Sequence, residues 1–209
     1  MTTPLPADAE TLFARLRDSL KDALGVPCNG QAQEGLDALA GVDPTMPVGE
    51  SAAGSGAEAV QAGSAESPAF IGIHTGGAWL AARLHAELGL SSPLGFLSSA
   101  FYRDDVQARG LSTRMQPTRI DFDVNGRDIV LVDDILHTGR TIRAALNEIF
   151  DYGRPARVRL AVLIDRGERE LPVQPDHVGT RLVLQPGEKL ALSQRTNGMF
   201  ELRVESVQA

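Results

Sequence analysis

The sequence predicts an α/β protein with a mostly parallel sheet flanked by helices, and three observations predict it. Strand-like and helix-like segments alternate from residue 70 to residue 164, the order that βαβ units leave in a chain. The run Ile129-Val130-Leu131-Val132 is apolar at every position, as in a strand buried on both faces. Two glycine-bearing turns, His74-Thr75-Gly76-Gly77 and His137-Thr138-Gly139-Arg140-Thr141, each lead from a strand into a helix. With 209 residues the chain accommodates one such domain and something extra.

In chain order, residues 8–24 read as an amphipathic helix, with Asp8 as its cap, Leu12, Phe13, Leu16, Leu20 and Leu24 on one face, and Gly25 as its stop. Residues 1–28 therefore form an N-terminal helical segment packed on the core. Residues 29–68 are dominated by Gly, Ala, Ser, Glu and Gln, with too few large apolar groups to offset the entropy of ordering, so a disordered low-complexity insertion is expected there. Phe70–Ile73 is a short buried strand, Ala78–Leu88 a helix ending at Gly89, and Leu94–Phe101 a second strand. Residues 102–118 are polar and irregular, the length at which a loop in a compact domain is usually functional. Arg119–Val124 and Asp128–Val132 flank Asn125-Gly126, a dipeptide that favours a two-residue hairpin. Thr141–Tyr152 reads as a helix closed by Gly153, followed by an apolar strand at Arg157–Ile164. Shorter strand-like pieces follow at Arg181–Leu184, Lys189–Ser193 and Phe200–Val204.

Bulk composition narrows the function classes. A net charge of −7 argues against a surface coated for non-specific nucleic-acid binding. Arg154, Arg157, Arg159, Arg166 and Arg169 cluster in sequence, but strand alternation is expected to scatter them. No apolar run approaches the roughly 18 to 20 residues of a membrane span, so no membrane association is expected. The N-terminus lacks a basic leader followed by an apolar stretch, and the single cysteine, Cys28, cannot close an internal disulfide. A cytoplasmic location follows as an expectation.

The chemistry concentrates in Ile129–Thr141, where a buried strand ends in Asp133 and Asp134 and turns into a helix through His137, Thr138, Gly139, Arg140 and Thr141. Ligands of open α/β sheets sit beyond the carboxyl ends of the strands, where both carboxylates would project. The amides of residues 137–141 open a helix and are unpaired donors at the positive end of its dipole, a site suited to a phosphate dianion. Gly139 allows close approach, and the Thr138 and Thr141 hydroxyls add donors. Carboxylates touching the phosphate would repel it, so they are placed to accept from ribose hydroxyls or to lie near a divalent cation. Neither the GxGxxG of a dinucleotide-binding fold nor the Gly-Lys-Ser/Thr of a P-loop occurs in these turns.

The strand, the Asp-Asp pair, two further residues and the Thr-Gly-Arg-Thr turn resemble the phosphoribosyl pyrophosphate (PRPP) motif of type I phosphoribosyltransferases. Within that superfamily, FYRDD (residues 101–105), VDDILHTGRTIRAALNEIFDYGRP (132–155) and LAVLIDRGERELPVQPDHVG (160–179) resemble the PyrR family in content and order, over roughly residues 70–193. The resemblance implies a type I phosphoribosyltransferase fold with a small hood, residues 69–209 forming the phosphoribosyltransferase domain. It further implies that Asp133 and Asp134 bind the ribose hydroxyls, and that the turn 137–141 cradles the 5-phosphate. Thr75, Gly76 and Gly77 would form a pyrophosphate loop, Arg103 with Asp104 and Asp105 would lie in a closing loop, and Asp165, Arg166 and Gly167 would build the hood around uracil. Two positions depart from the family pattern: His74-Thr75-Gly76-Gly77 stands where many members have Lys-Thr-Arg-Gly, and Glu168 stands where a basic residue is common. Both departures, with the net charge, weaken RNA binding more than catalysis.

The implied activity is uracil phosphoribosyltransfer from PRPP, giving UMP and pyrophosphate, with Mg²⁺ entering through PRPP and no metal held by the protein directly. UMP or UTP would bind the same site, a leader RNA is a possible partner, and a homo-oligomer is implied. A competing expectation is an RNA-binding attenuation regulator that uses the nucleotide site mainly as a sensor. Another is a phosphoribosyltransferase for a different base, because the PRPP motif does not distinguish acceptors.

Overall fold

The computed structural model describes residues 4–26, 67–98 and 116–206. The insertion expected at 29–68 lies almost wholly outside the described residues, and so do Arg103, Asp104 and Asp105. The elements run α1 (Ala9–Leu24), β1 (Ala69–Ile73), α2 (Gly76–Glu87), β2 (Leu94–Leu97), β3 (Asp128–Leu136), α3 (Arg140–Tyr152), β4 (Arg157–Asp165), β5 (His177–Arg181), β6 (Glu188–Gln194) and β7 (Phe200–Ser206). Strands β2-β1-β3-β4-β5 form one sheet, parallel at every junction, and β6 and β7 form a separate antiparallel pair.

Helix α1 is fixed at both ends by local chemistry. The Asp8 carboxylate accepts from the Thr11 amide at 2.8 Å, satisfying one orphan donor of the first turn. Gly25 takes the left-handed conformation that closes the helix, at φ 64°. Its buried residues Leu12, Phe13, Leu16 and Leu20 join Phe70, Leu80, Leu84, Val130, Val132 and Leu163 in one core. The second core lies on the opposite sheet face, where Ile142, Ala145 and Ile149 of α3 meet Ile71, Ile129, Leu131 and Val162. Both faces being covered explains why the central strands are apolar throughout instead of alternating. On the first face, α1 and α2 are pinned to the β6–β7 pair: Arg83 pairs with Glu10 at 2.7 Å and Glu87 at 2.8 Å, and its guanidinium lies over the Phe13 and Phe200 rings.

Three sequence expectations are corrected. The Asn125-Gly126 turn forms, with Gly126 at φ 66°, but Arg119–Val124 is not a hairpin partner of β3. Both edges of β3 are taken by β1 and β4, so Arg119 instead bridges Phe96 at the outer side of β2. The last strand of the sheet is His177–Arg181 and not Arg181–Leu184. Its propensities are weak, and contact with β4 and α1 decides it: a Cβ on Gly179 would lie 2.6 Å from the Leu163 carbonyl and 2.8 Å from that of Leu12. Finally, β3 does not end at the acidic pair but carries Asp133 and Asp134 inside it, running on to Leu136 beside β4.

Candidate active site

The overrun of β3 creates the site. Strand β1 pairs with β3 only as far as Gly72 and Val132, whereas β4 follows it to the pair Leu136 and Asp165. One edge of residues 133–136 is thereby left open at the carboxyl end of the sheet, and the start of α2 packs into it. A Cβ on Gly77 would meet the Val132 carbonyl oxygen and lie 2.9 Å from the Asp133 Cα, and one on Gly76 would meet the Asp134 carboxylate. At Gly77 the neighbours are rigid backbone and at Gly76 they are the Asp134 side chain, so an added methyl group at either position forces a shift. The turn before them contains a cis peptide bond between His74 and Thr75.

Strand alternation separates the two carboxylates. Val130 and Val132 belong to the core beneath α1 and α2, and Ile129 and Leu131 to the core beneath α3. Asp134 therefore lies on the α2 side and Asp133, which is buried, on the α3 side. Each accepts a hydrogen bond from the next amide, Asp134 N–H to Asp133 and Ile135 N–H to Asp134, both at 3.0 Å.

Helix α2 starts at Gly76 and α3 at Arg140, and neither N-cap residue, Thr75 or Gly139, makes a side-chain cap hydrogen bond, so most first-turn amides of both are left to other partners. The α3 turn is shaped by Gly139 at φ 90° and by the Thr138 hydroxyl, which accepts from the Arg140 amide at 3.3 Å. Two side chains of this turn meet acids of the loop after β4. His137 Nε2 lies 3.0 Å from the Glu168 carboxylate, and Arg140 Nε donates to Glu170 at 2.6 Å. In the first turn, burial pushes the His74 imidazole below its ordinary pKa, so it is neutral near pH 7.

Asp165, Arg166 and Gly167 lead from β4 into a loop that turns back through positive φ at Gly167 (74°) and Glu168 (53°). Together with Arg169, Gln174, Arg181 and Val183 they line a cavity of about 270 Å³. The Asp165 carboxylate is buried and committed inward, to the Gly167 amide at 2.9 Å and to Arg169 at 2.5 Å, with Arg181 at 3.7 Å. The Arg166 Nε, on the same loop, is buried and has no hydrogen-bond partner among the described residues. Arg169, noted in the sequence only as one of a cluster of arginines and not as a site residue, makes several hydrogen bonds in this region; its spacing of four residues from Asp165 was the available signal. Among the described residues no cluster of three or more His, Cys, Asp or Glu side chains is arranged to hold a metal ion, and no helix is long and apolar enough to cross a membrane.

The Phosphoribosyl transferase domain model matches residues 51–184. The bifunctional protein PyrR of Nitrosococcus oceani is 56% identical over 128 residues, covering 60% of this chain and 72% of that protein. That of Pseudomonas fluorescens is 47% identical over 151 residues, covering 72% and 89%. Among solved structures, a hypoxanthine-guanine phosphoribosyltransferase from Bacillus anthracis superposes with a TM-score of 0.52 at 15% identity, over 91% of this chain and 85% of that one. The hypoxanthine phosphoribosyltransferase of Trypanosoma cruzi gives 0.52 at 17% identity, over 86% and 81%. At such identities these two speak for the fold alone, a type I phosphoribosyltransferase fold. The domain match and the extent of identity to the bifunctional proteins place an acidic pair between two glycine-bearing helix starts in a known lineage: the chain belongs to the PyrR family of type I phosphoribosyltransferases.

Proposed function

We propose that the protein transfers ribose 5-phosphate from PRPP to uracil, releasing pyrophosphate and forming UMP, and that this site also reads pyrimidine nucleotides for control of pyrimidine genes. One observation carries the reading: two helix starts whose N-cap residues supply no side-chain cap, at Gly76 and Arg140, flank a pair of carboxylates at the carboxyl end of β3. PRPP has anionic groups at both ends of its ribose, and this spacing suits it. In this reading the amides and hydroxyls of Thr138, Gly139, Arg140 and Thr141 hold the 5-phosphate, with His137 at the edge of the turn. Thr75, Gly76 and Gly77 hold the pyrophosphate, and Asp133 and Asp134 accept from the ribose hydroxyls, one from each face of the strand. The cavity beside Asp165, Arg166 and Gly167 takes the base, and Arg103 acts from the segment ahead of β3.

Phosphoribosyltransferases generally use Mg²⁺ with PRPP. The residues present fit that route: Mg²⁺ would enter with PRPP and be held by the hard oxygens of the substrate, with the negative charge of Asp133 and Asp134 nearby favouring it. When bound, the ion neutralises charge on the departing pyrophosphate. The protein's own part is positional and electrostatic, fixing the sugar between two sets of amides as C1 gains positive character.

The attenuation-only reading is less favoured. Of the sequence-clustered arginines, Arg157 pairs with Asp128 at 2.6 Å and Arg159 with the same carboxylate at 3.8 Å; Arg166 lies 3.8 Å from Glu168, and Arg169 is held by Asp165. Cations committed to neighbouring acids release few counterions from a nucleic acid. RNA binding and a homo-oligomer remain parts of the proposal that filter binding across a salt series and light scattering test directly.

The deciding experiment incubates the protein with PRPP, Mg²⁺ and uracil, orotate, hypoxanthine or adenine in turn. UMP formation from uracil alone is expected; turnover of a purine without uracil refutes the assignment. Asp133→Asn and Asp134→Asn should each lower turnover on the order of 10²- to 10³-fold while unfolding as the parent does.

A further inference from the structure

We infer that Arg169 is a positioning residue for the phosphate turn: its guanidinium, with the loop that carries it, keeps the carbonyl oxygens of residues 136–138 turned away, so that the amides after them face the ligand. The inference rests on the proposal that residues 137–141 hold the 5-phosphate.

Arg169 lies outside that turn, yet its donors are spent on it. Nη1 donates to the His137 carbonyl at 2.7 Å and to the Gly167 carbonyl at 2.8 Å, and lies 3.5 Å from that of Leu136. Nε donates to the Val173 carbonyl at 3.0 Å, and Nη2 to Asp165 at 2.5 Å. Neighbouring amides complete the pattern. Arg166 N–H reaches the Leu136 carbonyl at 2.9 Å, and the amides of Glu170 and Leu171 reach the Thr138 carbonyl at 3.0 and 3.1 Å. Every backbone carbonyl from Leu136 to Thr138 is thus engaged by the loop after β4. Val173 and Leu171 also close on Gly139, 3.3 and 3.4 Å from where its Cβ would stand.

The physical need is specific. A run of amides binds an anion only when the alternating carbonyls point away from it, since a carbonyl oxygen facing a phosphate is repulsive. Holding several carbonyls at once calls for a rigid fork of donors, which guanidinium has and the point charge of lysine lacks. Arg169 also does not serve as a second cation for the phosphate, because the buried Asp165 neutralises it. The same contacts couple the base cavity to the phosphate turn, so the two subsites are placed by one side chain.

The test compares Arg169→Lys and Arg169→Ala with the parent in steady-state kinetics, with ribose 5-phosphate as a competitor of PRPP. KM for PRPP and the inhibition constant of ribose 5-phosphate should rise on the order of 10- to 100-fold, with kcat at saturating PRPP changed far less. Added methylguanidinium should restore PRPP affinity to Arg169→Ala, and ammonium should not, a response that general loss of stability would not give. If Arg169→Ala does not fold, Arg169→Lys carries the same comparison. Unchanged constants in a folded variant, or a fall in kcat at constant KM, overturn the inference. Thr141→Val separates the two ideas: if it weakens ribose 5-phosphate binding and the Arg169 variants do not, only the positioning role fails. If neither does, the phosphate turn itself is misassigned.

Discussion

At the start of α2 the backbone is pressed onto the sheet from within, because Gly76 and Gly77 have no room for a side chain against β3. The start of α3 is instead held from outside, by a loop whose amides and arginine reach over the turn. Among the described residues, burial favours the neutral form of His74 beside the first turn, and His137 and Arg140 of the second face Glu168 and Glu170. In the proposed reading, anion affinity would then fall to oriented amides and to the ion that accompanies PRPP. The difference lies in what each turn tolerates. A close-packed turn fails on the addition of one methyl group, and a turn held by a neighbouring loop fails when a distant donor is lost.

That contrast can be broken at several points. The largest effect is expected at Gly77→Ala, whose Cβ enters the Val132 carbonyl with only rigid backbone to yield. It should cost about 1–3 kcal/mol or more by chemical denaturation, with turnover lost as the strand and helix separate. A variant with parental stability would show that the contact is not rigid. Gly139→Ala should be milder, because its nearest neighbours are the Val173 and Leu171 side chains at 3.3 and 3.4 Å. The left-handed backbone still imposes about 1–2 kcal/mol, and KM for PRPP should rise more than kcat falls.

Smaller again is Glu170→Gln. The Arg140–Glu170 pair is half-exposed, so stability should change by less than about 1 kcal/mol. Removing one carboxylate from beside the turn should lower KM for PRPP modestly, and a rise in KM would mean that Glu170 helps to hold Arg140 in place for the phosphate. Smallest is a pH effect remote from both turns. His177 of β5, 3.0 Å from the Ser19 hydroxyl of α1, has its pKa lowered by burial, with Arg159 adding to the shift and Asp176 opposing it. The folded state prefers the neutral ring, so the unfolded chain takes up the proton first as pH falls through about 6.5, and stability declines with it. Denaturation midpoints at about pH 7.5 and about pH 5.5 should differ less in His177→Asn than in the parent; equal differences would exclude His177 as a source.

The legible parts of the molecule are those decided within a few residues. Asp8 and Gly25 marked the ends of α1 because a cap and a left-handed closure are local events. The turn at 137–141 was legible because an apolar strand, a carboxylate pair and a Thr-Gly-Arg-Thr stretch are contiguous. The hairpin at Asn125-Gly126 misled for the same reason: the turn is local and forms, but strand pairing depends on which edges remain open. His177–Arg181 escaped because its strand state comes from Leu163 and Leu12, distant in sequence. The role of Arg169 was not legible because, apart from Asp165, its acceptors are carbonyl oxygens, which every residue has.

From residue order alone came the α/β class, the two glycine turns, the acidic pair and the family, all of which reside in contiguous chemistry. The tertiary structure decided that β3 runs past β1, that Asp133 and Asp134 face opposite sides of the sheet, that Gly76 and Gly77 close on them, and that the loop after β4 holds the carbonyls of residues 136–138. The reason is physical: strand register and close backbone approach depend on which segments meet across the core, and no single segment encodes its partner.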